Sequence, residues 1–280
     1  MGIRIIADST TEITQKEAAE LNITIVPLKS IFGDKEYLEG VDLTPEQFYE
    51  KLAESKELPK TSQPSPAEFE KAYKEAQANG DKIITICLAS SISGTYQSAN
   101  IAKETCGGDI WVIDSGNTTV GEQLLVRLAI QMRDAGKSAE EIVKTLEEKK
   151  DTVRLFAVVD TLEYLHKGGR MSKATAIAGT LLKIKPLIAM QENELKLIGK
   201  SRGLKNAYKE VFKFVDSEGG IDYSMPFAIG YTGDIESFKQ FESDAKERFD
   251  GHEPIVSIVG SVIGTHVGPG AVAVTFFKRT

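Results

Sequence analysis

The first half of the chain alternates short β-branched runs with stretches whose apolar residues recur at helical spacing. In order, these are IRIIADS, TQKEAAEL, ITIVPL, TPEQFYEKLAES, PAEFEKAYKEAQANG and KIITICLA. This order predicts βα units building a parallel sheet. The helix starts are well signalled. Thr14 with Glu17, Thr44 with Gln47 and Ser65 with Glu68 match capping boxes, and Pro45 and Pro66 take the first helical position. A further strand, IWVID, precedes a long helical pattern that stops at Gly136.

From about Arg154 the pattern changes. RLFAVVD predicts a strand, TLEYLHKGG and KATAIAGTLLK predict helices, and PLIAMQENELKLIGK predicts an antiparallel hairpin turning at QENE. Two helices and two strands follow before a closing strand, GAVAVTFFK. The expected fold is α/β in two tightly packed domains. Residues 1–160 form an N-terminal domain with a mainly parallel sheet flanked by helices, and residues 161–280 form a C-terminal α/β domain with a mixed sheet.

A chain of 280 residues that is 41% hydrophobic and 27% charged can build such cores. Its formal charge of −7 lacks the basic footprint that a nucleic-acid partner requires. Two cysteines, Cys87 and Cys106, are too few for a disulfide framework and suit a reducing compartment. No secretory signal pattern lies near Met1, and the most apolar long stretch is broken by His266, Pro269 and glycines, so no membrane span is expected. The expected location is the cytoplasm.

In a parallel sheet, ligands gather outside the carboxyl ends of the strands. Those ends are rich in hydroxyls: Asp8-Ser9-Thr10-Thr11, Ser90-Ser91-Ile92-Ser93-Gly94-Thr95 and Asp114-Ser115, with KTSQPS (60–65) placed as a loop between two helices. Hydroxyls and backbone N–H groups at a helix start can hold an anion without formal positive charge. The simpler alternative is that Ser91 or Ser93 caps a helix beginning near Gly94. Catalytic motifs are missing: there is no G-x-S-x-G, no phosphate loop and no H-E-x-x-H, and three histidines leave little for a metal. His266 stands in the glycine-rich GTHVGPG, placed as a loop between two apolar strands, where a core imidazole and a functional one are equally good readings. The basic residues of HKGGRMSK (Lys167, Arg170, Lys173), with Lys200 and Arg202 of GKSRG, form either a solvated surface, a docking rim or a phosphate clamp.

These residues resemble the DegV family of bacterial fatty-acid-binding proteins, the carrier subunits of fatty acid kinase. The resemblance runs the full length, through IIADSTTE, TSQPSP, SSISGTYQSA, VIDS, EYLHKGGRMS, KIKPLI, GKSRG and THVGPGAVAV. It implies two α/β domains with an apolar tunnel between them for a long-chain fatty acid. The expected ligand-binding residues are Thr61, Ser62, Ser93, Gly94, Thr95 and His266, with Thr61 and Ser93 on the carboxylate and His266 in the same network. It further implies no catalytic residue, metal or cofactor, and a separate kinase subunit that turns the bound acid into acyl-phosphate for phospholipid synthesis. Arg170, Lys173 and Arg202 are the expected docking residues for that kinase. One departure is DSGNTTVGEQLLV, where family members commonly carry a second glycine near Gln123, which bears on the geometry of that helix start. The rival reading is a serine-dependent acyl hydrolase using Ser93 and His266, with Asp8 or Asp114 orienting the imidazole.

Overall fold

The computed structural model describes residues 2–171, 183–233 and 235–279. Four strands, β1 (Ile3–Asp8), β2 (Ile23–Val26), β6 (Lys82–Cys87) and β7 (Ile110–Asp114), form an all-parallel sheet in the order β2-β1-β6-β7. The central pair is aligned with Ile5 opposite Ile84 and Ala7 opposite Ile86, and these side chains are fully buried. Burial on both faces is what a continuous β-branched run encodes.

Helices α3 (Pro66–Ala78) and α4 (Thr95–Cys106) cover one face of this sheet, where Phe69, Tyr73 and Ala99 pack on Ile6 and Ile83. Helix α5 (Val120–Asp134) covers the other, followed by α6 (Ala139–Lys149). Leu124, Leu125, Val126 and Ala129 of α5 are completely buried because a second sheet packs on its far side. The burial does not require an all-round apolar composition: Glu122 and Gln123 are buried in the same helix with hydrogen-bonding partners, and Gln131 near its end is exposed.

The second sheet has six strands in the order β10-β9-β8-β13-β11-β12. These are β8 (Val153–Val158), β9 (Ile184–Gln191), β10 (Glu194–Arg202), β11 (Ala228–Tyr231), β12 (Ile255–Ile258) and β13 (Val272–Phe277). Only β11 and β12 run parallel; every other neighbouring pair is antiparallel. The β9–β10 hairpin turns at Glu192-Asn193, both at positive φ (53° and 58°), as a two-residue primed turn demands. Strand β8 lies before residue 160 in the chain yet is central to this second sheet. Helices α8 (Leu204–Ser217) and α9 (Ile235–Lys246) cover its outer face through Tyr208, Phe212 and Phe241. The fold is therefore mixed α/β with one parallel and one mixed sheet.

Two local expectations change. KTSQPS is not simply a loop: Lys60–Ser62 is a strand, β5, at the edge of a small antiparallel sheet with β3 (Lys29–Phe32) and β4 (Lys35–Leu38). Three- and four-residue strands carry too little periodicity to announce themselves. GTHVGPG begins inside a helix, α10 (Ser261–Val267), whose β-branched and glycine residues disfavour helix intrinsically. Burial of Val262 and Ile263 against Leu28 and Leu88 overrides that preference. Two further helices, α2 (Pro45–Glu54) and α7 (Glu163–Lys167), flank α10, and α1 (Gln15–Glu20) precedes β2. The helix expected at KATAIAGTLLK lies outside the described residues.

Candidate functional site

Strand order reverses between β1 and β6, the switch point where an open sheet offers a crevice. Here Asp8 closes it: one carboxyl oxygen accepts from Leu88 N at 2.9 Å, the other from Thr10 N at 2.9 Å and Thr10 Oγ1 at 2.7 Å. The hydroxyls just beyond β6 then divide by direction. Ser90 donates outward to Asp114 at 2.5 Å, and Ser91 is exposed. Ser93 turns inward to a cavity of about 370 Å³ between the two sheets.

That cavity is walled mainly by apolar side chains from both halves, including Leu28, Leu88, Leu155, Ile188, Met190 and Ile263. Thr61, Ser62, Gln63, Ser93, Arg170 and His266 also line it. Gly94 and Thr95 stand behind Ser93. Gly94 is the N-cap of α4, and Thr95 is fully buried. A Cβ at Gly94 would lie 2.2 Å from Gln63 Oε1, so only glycine lets the Gln63 amide cross to Ser98 Oγ at 3.0 Å and tie the end of the Thr61 strand to the first turns of α4. Nothing in the sequence marks Gln63 beyond its place in TSQPS.

The hydrogen bonds set where the hydroxyl protons point. Thr61 Oγ1 lies 2.8 Å from His266 Nε2, while His266 Nδ1 is buried without a partner among the described residues. An unpaired lone pair costs less than an unpaired N–H, so Nε2–H donates to Thr61 and the Thr61 proton is left for the cavity. Ser93 shows the same logic. Its oxygen accepts from Thr95 N at 3.3 Å and meets Thr95 Oγ1 at 2.9 Å. Thr95 has no other acceptor for its buried proton among the described residues, so it donates to Ser93, which in turn donates to the cavity. Burial, with the nearby Arg170 charge, lowers His266 to about 4. The pair of donors is thus uncharged at neutral pH. Close packing holds the imidazole: a Cβ on Gly168 would sit 2.2 Å from Nδ1.

Arg170 belongs to the cavity mouth. Its guanidinium donates to Ile92 O at 3.3 Å and Gly168 O at 2.7 Å. Arg202, at the end of β10, is exposed and does not line the cavity, and Lys173 lies outside the described residues. Gln123 sits in an intact first turn of α5, its amide 3.4 Å from Ser257 Oγ. No hydrolase triad is assembled among the described residues. His266 bonds Thr61 rather than Ser93, and its other nitrogen meets no acid. Asp8 is spent on Leu88 and Thr10, and Asp114 on Ser90, Gly116 and Asn193.

The chain matches the family model described as "Uncharacterised protein, DegV family" over residues 2–279. It belongs to the DegV family. A DegV domain-containing protein of Caldanaerobacter subterraneus is 37% identical over 279 residues, 99% of each chain. Among solved structures, a fatty-acid-binding DegV family protein from Thermus thermophilus superposes with a TM-score of 0.90 at 29% identity, covering 100% of both chains. A stearic-acid-binding protein from Eubacterium ventriosum matches with a TM-score of 0.88 at 27% identity, covering 98% of this chain and 97% of that one.

A second polar cluster of this DegV protein lies beyond the other end of α10; it takes in Asp8, Ser9 and Thr10, which nothing in the sequence joins to Glu12, Glu39 and Glu122. Glu12 accepts from Gly260 N at 2.7 Å and Thr119 Oγ1 at 2.8 Å. Glu39 accepts from Val262 N at 2.7 Å, Ser261 Oγ at 3.2 Å and Ser9 Oγ at 2.5 Å. Glu122 lies 2.8 Å from Thr10 Oγ1, the same hydroxyl that bonds Asp8. One hydroxyl proton cannot serve two carboxylates, so one of the two acids is protonated. Burial raises the pKa of all four, and repulsion from neighbouring carboxylates adds to it for Glu12, Glu39 and Glu122.

Proposed function

We propose that this protein is a carrier that binds a long-chain fatty acid, with the alkyl chain in the cavity between the sheets and the carboxylate at Thr61 and Ser93. The observation that carries this reading is the combination of an apolar cavity with two O–H donors whose oxygens are already occupied, so that their protons face a ligand. An acceptor on the end of an alkyl chain satisfies both features. The similar structures described as fatty-acid- and stearic-acid-binding support the ligand class. Ser62 adds a polar group at the same wall, Gly94 and Thr95 shape and polarise the Ser93 donor, and His266 fixes Thr61.

Magnitudes favour a tail-driven site. Burying about fourteen methylenes supplies on the order of 11 kcal/mol before ordering costs. The head group then needs orientation more than strength. An arginine pair would bind the carboxylate tightly but draw charge from its oxygens, whereas neutral donors leave one oxygen nucleophilic.

That balance suits a ligand presented for reaction. In this reading the protein is a non-catalytic, cofactor-free carrier in the cytoplasm, and a separate fatty acid kinase subunit holds the nucleotide. A carboxylate oxygen attacks the terminal phosphorus, the new O–P bond forms as the bond to the nucleoside diphosphate breaks, and the acyl-phosphate feeds phospholipid synthesis. Arg170, Lys173 and Arg202 form the rim that meets the kinase; the exposure of Arg170 at the cavity mouth and of Arg202 supports this. Among the described residues no helix is long and apolar enough to cross a membrane.

The reading is tested by native mass spectrometry of the purified protein, followed by solvent extraction. A near-stoichiometric long-chain fatty acid is expected. A protein that carries none and takes up none when it is supplied would count against the carrier.

A further inference from the structure

The Thr61–His266 pair is a partition between two cavities. On its far side lies a second cleft of about 740 Å³ that shares Thr61, His266 and Arg170 with the apolar cavity. Its character is different. Lys56, from the segment joining α2 to β5, Lys60, the first residue of β5, and Lys167, from the end of α7, line it together with Arg170. The two carboxylates on its walls are Glu57 and Glu163, and Glu163 is paired with Lys167 at 2.5 Å. Lys56, Lys60 and Arg170 have no carboxylate partner among the described residues. In a chain of net charge −7, such a concentration of unpaired cations beside a neutral cradle marks a place for an anion.

A carboxylate at Thr61 and Ser93 does not use these lysines. A group attached to its outward oxygen would pass the partition and enter the cleft. We infer that the Lys56–Lys60 cleft is a binding site for a phosphoryl group, either that of an acyl-phosphate whose tail fills the apolar cavity or the terminal phosphates of its nucleotide donor. The inference rests on the carrier reading above. Hydroxyl donors suffice for one negative charge, whereas a phosphoryl group carries nearly two and is better matched by cations. Lysines on flexible stems can follow that charge as the group moves from donor to acceptor.

The test compares a long-chain fatty acid with a 2-oxoalkylphosphonate of equal length, in which a methylene replaces the bridging oxygen of the acyl-phosphate. Binding of each is measured on the full chain and on the Lys56→Gln/Lys60→Gln double variant, in which both exposed positions change without touching the core. The phosphonate is expected to lose about tenfold in affinity and the fatty acid less than twofold. Tripolyphosphate added to the fatty-acid-loaded protein separates the two sources. Binding that the double variant loses assigns the cleft to the donor's phosphates. No binding, with the phosphonate effect intact, assigns it to the product. If neither probe senses the lysines while fatty acid still binds, the cleft is not a phosphate site and the carrier reading stands. A parent protein that binds neither fatty acid nor phosphonate would instead remove the carrier reading itself.

Discussion

The two ends of α10 are both polar and both sheltered, yet they are built on opposite terms. At the N-terminal end, Glu12 and Glu39 receive the backbone N–H groups of Gly260 and Val262 and the hydroxyls of Thr119 and Ser9, while the neighbouring Asp8 and Glu122 share the hydroxyl of Thr10. Almost every donor and acceptor there is satisfied within the protein; Glu122 Oε1 is the exception. At the C-terminal end, His266 and Thr95 occupy the oxygens of Thr61 and Ser93, and the protons of those hydroxyls remain for something else. The closed network acts as a structural joint, and the open one is the site proposed for the ligand. Polarity and burial do not distinguish them. What does is whether the hydrogen-bond inventory closes on itself.

The largest effect expected from this contrast is on stability. Asp8→Ala leaves the buried Leu88 and Thr10 amides unpaired and should cost about 2–4 kcal/mol in urea denaturation, whereas Thr61→Val at the open end should cost about 1 kcal/mol. Thr61→Val should instead lower fatty-acid affinity about tenfold, through loss of a hydrogen bond to a charged group. Equal destabilisation by the two variants would erase the distinction between joint and site.

A smaller effect is expected in the pH dependence, and its sign differs between the two ends. The carboxyl pKa values in the joint are raised by folding, so their contribution is complete below the ordinary carboxylate range and is lost as pH rises through the raised values. His266 is lowered to about 4, so its contribution is present above the ordinary imidazole value near 6.5 and is lost as pH falls from there toward 4. Above about pH 6.5 His266 contributes no slope. The melting temperature should therefore fall as pH rises through the raised carboxyl values, and Glu12→Gln with Glu122→Gln should flatten that fall. These amides keep the shape of the side chains and cannot ionise. A slope unchanged in the double variant would place the titration elsewhere.

The sequence made the parallel sheet plain because β1 and β6 are buried on both faces, and Ile5, Ile6, Ile83 and Ile84 therefore form uninterrupted β-branched runs. The β9–β10 hairpin was equally plain, since a polar QENE with Asn193, which tolerates positive φ, separates two apolar runs. Helix α10 was hidden because its helicity comes from packing against Leu28 and Leu88, not from Val262, Ile263 or Gly264. The hydroxyls of Ser90, Ser91, Ser93 and Thr95 were visible as a group, but their division into an outward pair and an inward pair depends on where Asp114 and the second sheet lie. Resemblance brought Thr61 and His266 to the same network; composition and spacing could not join residues 205 positions apart. The joint was hidden for the same reason. Glu39 and Glu122 look like surface carboxylates until the fold brings them to Asp8 and Glu12.

The central claim is that the protons of Thr61 and Ser93 hold a carboxylate. Its most direct test is the ¹³C NMR resonance of a carboxyl-labelled long-chain fatty acid bound to the protein, followed with pH and with Thr61→Val and Ser93→Ala. The account predicts a single bound resonance that stays ionised through neutral pH and moves in both variants while the ligand remains bound. A resonance indifferent to both substitutions would mean that the head group lies elsewhere and that these hydroxyls are not its cradle.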